Sequence, residues 1–124
     1  MDTATTPSPQ PHDAPVSVRW LNPIGCPTFD APIADLLHGI KQPSTHVEVV
    51  SFDMTPSPTH LEYRTYEALT YERTVRIARD CDQQNIDALV IGCFYDPALE
   101  DAREISGNCL VVAPCQASLQ VAAQ

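Results

Sequence analysis

Residues 86–104, from Ile86 to Glu104, read IDALVIGCFYDPALEDARE, and this stretch decides the fold. After Asp87, the run Ala88 to Ile91 is short, apolar and β-branched, the pattern of a parallel strand buried on both faces. Gly92 and Cys93 end it. Asp96 followed by Pro97 is a helix-start signal, with Asp as N-cap and Pro at the first helical position, and it predicts a helix from Pro97 to about Ile105. Cys93 therefore falls in a strand-to-helix turn on the carboxyl edge of a sheet, where open α/β sheets bind ligands.

Working outward, Val16 to Leu21 (VSVRWL) reads as a first strand, and Asn22 to Pro27 as a turn rich in structure breakers. Thr28 is placed as the N-cap of a helix whose apolar positions Phe29, Ile33, Leu36, Leu37 and Ile40 share one face of a 3.6-residue period. His46 to Phe52 (HVEVVSF) gives the second strand. Past a loop with Pro56 and Pro58, Tyr66 to Gln84 has a helical pattern with Leu69, Val75 and Ala78 inward. Cys109 to Ala113 is a fourth strand, and Ser118 to Ala123 begins another helix. Strands alternating with helices imply right-handed crossovers and a parallel sheet. The expected fold is α/β, a flavodoxin-like three-layer lobe with four parallel strands in the order 2-1-3-4. In that order strands one and three flank a switch point, which brings Asn22 close to Cys93.

The chain has 124 residues, enough for one modest core. Its formal charge of −9, with only 7 Lys and Arg, argues against nucleic acid, whose phosphates need clustered cations. No apolar run approaches the roughly 18 residues of a membrane span, and the N-terminus lacks the basic and apolar regions of a secretory signal. The expected location is the cytoplasm. Five cysteines without C-x-x-C pairs indicate neither a disulfide framework nor a structural zinc site, so reduced thiols and no bound metal are expected. Residues 1–15 hold four of the twelve prolines and little apolar surface. They are expected to form a disordered tail before a single lobe over residues 16–124.

Four segments in order, VRWLNPIG (18–25), HLEYRTYEAL (60–69), VIGCFYDPALEDAREI (90–105) and VVAPCQASL (111–119), resemble the aspartate/glutamate racemase superfamily in its hydantoin racemase-like branch. The resemblance runs from about Val18 to Leu119. It implies a cofactor-independent enzyme that moves a proton at the carbon beside a carbonyl, with Cys93 as catalytic acid/base. By the same resemblance Asn22 and Pro23 help hold the carboxylate or ring carbonyl of an amino acid, hydantoin or related carboxylate substrate. Phe94 and Tyr95 are placed along the substrate cleft.

Those residue types suit the chemistry. Inverting a carbon centre needs a base on one face and an acid on the other, and a thiol/thiolate pair serves both directions. The carbanion is enolate-like, so backbone N–H groups in the turns and the Asn22 amide would stabilise the developing oxyanion. A helix N-terminus after Cys93 would favour its thiolate and Asp96 would oppose it.

The resemblance also implies a second lobe carrying the partner cysteine, and this chain is expected to hold the first lobe only. Cys115 is the obvious stand-in, but it lies on the same sheet edge as Cys93. A homo-oligomer would be another source, placing a second Cys93 opposite the first. Cys26 stands where the family often has Thr or Ser.

Each residue also has a plainer role. A cysteine after a buried strand is more often a small core residue than a nucleophile. Asn22 could simply cap its turn, and Phe94 and Tyr95 could be packing. Cys81 and Cys109 read as buried structural thiols, and His12, His38, His46 and His60 show no ligand spacing. Two readings follow. One is a racemase or isomerase of this superfamily, with a single-cysteine decarboxylase or isomerase of small dicarboxylates as a variant. The other is a truncated or degenerate lobe without catalysis, which binds small carboxylates or a partner chain.

Overall fold

A computed structural model of the protein describes residues 14–124. Residues 1–13 of the expected tail lie outside the described residues. Four strands, β1 (Val16–Asn22), β2 (Thr45–Ser51), β3 (Ala88–Ile91) and β4 (Leu110–Val112), form one parallel sheet in the order β2-β1-β3-β4. This is the order expected from the sequence. Leu21 on the central strand pairs with Val50 on one side and Ile91 on the other, and Asn22 stands level with Ser51.

Among the described residues five α-helices connect and flank the strands: α1 (Asp30–Ile40), α2 (Arg64–Ala68), α3 (Tyr71–Gln83), α4 (Leu99–Ile105) and α5 (Pro114–Ala122). The core lies on one face of the sheet. Leu21, Leu89, Ile91 and Val111, alternate positions of three strands, pack there with Ala78 and Cys81 of α3 and Leu99 and Ala102 of α4. Right-handed crossovers place α1 on the opposite face. That helix has an apolar stripe of the expected period but no buried residue; Leu36 is 65% exposed and Ile40 72%. Periodicity identified the helix correctly, but α1 alone on its face buries little of the stripe.

Several boundaries differ from the sequence reading. Pro27–Phe29 form a 3-10 turn, and Asp30 opens α1, so Thr28 is not an N-cap. The expected helix over 66–84 is two helices broken at Leu69–Thr70, and Leu69 is exposed rather than inward. Thr70 is fully buried, and its hydroxyl donates to the Glu67 carbonyl. The small polar side chain thus ends the first helix by competing for its backbone. The last helix begins at Pro114, immediately after β4, with proline at its favoured first position.

The largest correction concerns Asp96. It adopts a left-handed backbone (φ 48°), as does Ala98 (φ 56°), and α4 starts only at Leu99. Instead of capping its own helix, the Asp96 carboxylate accepts the backbone N–H of Cys115 at 3.0 Å and of Gln116 at 2.8 Å. It satisfies two N–H groups that the first turn of α5 would otherwise leave unpaired.

Candidate functional site

At the carboxyl edge the turns after β1 and β3 and the loop after β2 meet around a cavity of about 430 Å³. The β1 turn contributes Asn22, Pro23 and Ile24, and the β3 turn contributes Gly92, Cys93 and Tyr95. Phe29 and Ile33 enter from the start of α1, and Thr59, His60, Leu61 and Glu62 from the loop after β2. Most of the wall is apolar, with a few polar groups converging on it, the usual composition of a small-molecule site. Of the residues singled out in the sequence, Cys93, Asn22, Pro23 and Tyr95 share this cavity. Phe94 does not line it; it is 64% exposed.

Asn22 is 6% exposed and engaged at both ends. Its Oδ1 accepts from Trp20 Nε1 at 2.9 Å, and its Nδ2 donates to Asp30 Oδ1 at 2.7 Å. The Ser51 hydroxyl donates to the same Asp30 oxygen. The chain Trp20–Asn22–Asp30–Ser51 therefore ties the ends of β1 and β2 to the first turn of α1. One Nδ2 hydrogen goes to Asp30, and the amide carries a second. Several backbone donors expected to face an oxyanion are otherwise occupied. Gly25 N–H goes to Pro58 O, Gly92 N–H to Leu21 O and Cys93 N–H to Ile91 O.

Gly92 and Gly25 are set by close approach. A Cβ on Gly92 would fall 2.2 Å from Trp20 Nε1, and one on Gly25 2.7 Å from Ser57 Cβ. The β1 turn thus closes directly onto the loop after β2. Arg73 Nη1 in turn hydrogen-bonds the Ser57 hydroxyl, fastening that loop to α3.

Cys93 is half-buried. Burial pushes its thiol above the ordinary value, the Tyr95 backbone N–H acts in the opposite direction, and the Glu67 and Asp96 carboxylates push it further up. The opposition between helix N-terminus and Asp96 foreseen in the sequence is resolved by desolvation, and the thiol form is favoured. Cys26 behaves oppositely. Its hydrogen bonds with Thr28 lower it, and its Sγ lies 3.3 Å from Thr28 Oγ1. Cys81 and Cys109 are buried core thiols, with Cys109 raised to about 11 chiefly by burial. Cys115 sits in the first turn of α5 behind the Asp96 cap. Among the described residues no three His, Cys, Asp or Glu side chains gather as a metal-binding group.

Sequence reasoning missed His60 and Glu62. Glu62 N–H donates to His60 Nδ1 at 3.4 Å, and the Glu62 carboxylate lies 3.7 Å from the same nitrogen. The imidazole meets Tyr66 edge-on at 5.0 Å and Tyr63 at 5.9 Å. The spacing H-x-E was visible, but nothing local showed that the loop after β2 folds over the β1 turn.

A half-buried thiol thus stands at the switch point of a parallel α/β sheet, beside an anchored asparagine and over an apolar cavity, the place where sheets of this class bind small molecules. No family model matches the chain. Hydantoin racemase from Rhizobium meliloti is 31% identical over 105 residues, which cover 85% of this chain and 42% of that protein. Allantoin racemase from Klebsiella pneumoniae shares the fold at a TM-score of 0.74 and 23% identity, over 87% of this chain and 43% of that one. The chain resembles the aspartate/glutamate racemase superfamily, in its hydantoin racemase-like branch. It spans less than half the length of either relative, in keeping with one lobe. Among the described residues no helix is long and apolar enough to cross a membrane.

Proposed function

We propose that this lobe carries half or more of a racemase or isomerase site that moves a proton at the carbon next to a carbonyl without a cofactor. The substrate class is an amino acid, a hydantoin or a related carboxylate. The observation that carries this reading is the convergence of Cys93, Asn22 and Pro23 on one mostly apolar cavity. Cys93 takes or returns the proton. The second Nδ2 hydrogen of Asn22 is directed to the substrate carbonyl, where charge develops in the enolate-like state. The amide is well suited to that task because Trp20 and Asp30 already fix it, so little reorganisation accompanies the reaction. Tyr95 and Phe29 supply apolar wall for a substituent. Activity in the cytoplasm is part of the same proposal.

The likeness to hydantoin racemase, over most of this chain, supports the reaction class. The test is deuterium exchange at the α-carbon of a panel of amino acids and 5-substituted hydantoins in D₂O. Exchange by the chain and its loss in Cys93→Ser is expected. Exchange unchanged in Cys93→Ser would sink the proposal.

A second reading is favoured by one observation, the burial that holds the Cys93 thiol protonated. A binding lobe without catalysis needs no thiolate. It predicts ligand protection of Cys93 from alkylation with no exchange on any substrate.

A further inference from the structure

We infer that a groove at the exit of β2 is a second ligand site, one that takes a free α-amino acid with an apolar side chain. It is separate from the Cys93 cavity and does not depend on the reaction proposed there. The groove has a volume of about 410 Å³ and lies between the end of β2 and α3. None of its lining residues lines the cavity of Asn22 and Cys93.

β2 ends at Ser51, and Phe52 and Asp53 follow it out of the sheet, the first buried and the second exposed. α3 runs past them and presents Arg73, Arg76 and Ile77, which share one helix face at i, i+3 and i+4. Arg76 is paired with Glu72 of its own helix. Arg73 and Asp53 are different: among the described residues neither stands in an ion pair. In a chain with 16 acidic residues against 7 Lys and Arg, that leaves a guanidinium open to a carboxylate from outside. The head of Arg73 is already fixed, since Nη1 donates to the Ser57 hydroxyl and the guanidinium carbon stands 5.9 Å from the centre of the Phe52 ring. Its other nitrogens remain for a ligand.

Two unpaired groups of opposite charge beside an apolar floor match the three parts of such an amino acid. The carboxylate takes the guanidinium fork, the ammonium goes to Asp53, and the side chain lies on Phe52 and Ile77. A plain carboxylate would be repelled by Asp53, and a plain amine by Arg73. A zwitterion satisfies both. Because Arg73 also fastens Ser57 against Gly25, the ligand acts from outside on an anchor of the β1 turn that walls the Cys93 cavity.

The experiment follows backbone amide NMR shifts of the full chain during titration with L-leucine, with leucinamide, which lacks the carboxylate, and with N-acetyl-leucine, which lacks the ammonium. Leucine is expected to give saturable shifts at Phe52, Asp53, Arg73 and Ile77, with smaller ones at Gly25, and each control to bind about 10-fold or more weakly. Arg73→Gln and Asp53→Asn should each weaken leucine by about the same factor, whereas Arg79→Gln, outside the groove, should not. Arg73→Lys keeps the charge and should bind better than Arg73→Gln; if Arg73→Gln fails to fold, the exposed Asp53→Asn carries the test. Equal binding of leucine and both controls, or unchanged affinity in Asp53→Asn and Arg73→Gln, would overturn the site. Leucine shifts confined to the Asn22 and Cys93 turns would also overturn it, and would leave the proposed reaction standing. Gly25 unmoved at saturation would overturn the link to the β1 turn.

Discussion

The indole of Trp20 occupies the space that a side chain on Gly92 would fill, with Nε1 2.2 Å and Cε2 2.5 Å from where its Cβ would stand. The same Nε1 holds Asn22. The missing side chain next to Cys93 is therefore what lets a tryptophan one strand away orient the amide across the cavity. Gly92→Ala is expected to displace the indole and to destabilise the fold by about 1–3 kcal/mol, as overpacking does. Trp20 is the single tryptophan in the chain, so its emission during urea denaturation reports both effects. An unshifted emission with an unchanged midpoint would refute this account.

Asp96 should matter to stability through α5. Removing its carboxylate leaves the N–H groups of Cys115 and Gln116 unpaired, and Asp96→Ala should cost about 1–2 kcal/mol, with added strain from its positive φ. Asp96→Asn should cost less, since asparagine tolerates that backbone and keeps one acceptor oxygen. Amide hydrogen exchange across 114–122 locates the effect. Loss of protection confined to α4 would contradict it.

The thiols should react in an order set by their surroundings. Alkylation goes through the thiolate. Cys26, lowered by Thr28, is expected to react with iodoacetamide first, and Cys93 more slowly because burial holds its proton. Cys81 and Cys109, buried and raised, should react last, Cys109 titrating only near pH 11. As pH rises, the Cys93 rate should still be climbing when that of Cys26 has begun to level. Mass spectrometry of timed digests checks the order, and Cys93 reacting ahead of Cys26 at pH 7 would reverse the assignment.

Asp87 should shape the acid limb of stability. Its Oδ2 accepts the Ser17 N–H at 2.7 Å and the Ser17 hydroxyl at 2.9 Å, and these bonds hold its pKa below the ordinary carboxylate value. A carboxyl depressed in the folded state stabilises the fold above its unfolded pKa, and that contribution fades as pH falls through the folded one. Between pH 7 and 5 the contribution is constant; below about 4 it is progressively lost. Asp87→Asn should flatten that part of the stability curve, measured by urea midpoints across acid pH. Parallel curves for the two proteins would rule it out.

The sheet was legible because its information is local. Ala88–Ile91 is bounded by Asp87 and Gly92, and each β-branched run lies between breakers, so strand order followed from crossover rules alone. The position of Asn22 beside Cys93 followed from the same order. What the sequence concealed depends on distant partners. Asp96-Pro97 has the grammar of a helix start, yet the carboxylate caps a helix that begins well down the chain. The stripe on α1 has the correct period, but period alone does not say whether a second layer covers it. His60 reaches the cavity through a loop whose path is set by contacts to Gly25 and Arg73, far from it in sequence.

The link from Asp96 to α5 also bears on when the site takes shape. The turn that presents Cys93 draws part of its final conformation from N–H groups 19 and 20 residues further along. During synthesis, β1 to β3 can pair while that turn still lacks its anchor. The turn that holds Cys93 therefore reaches its final conformation only after β4 and the first turn of α5 have formed.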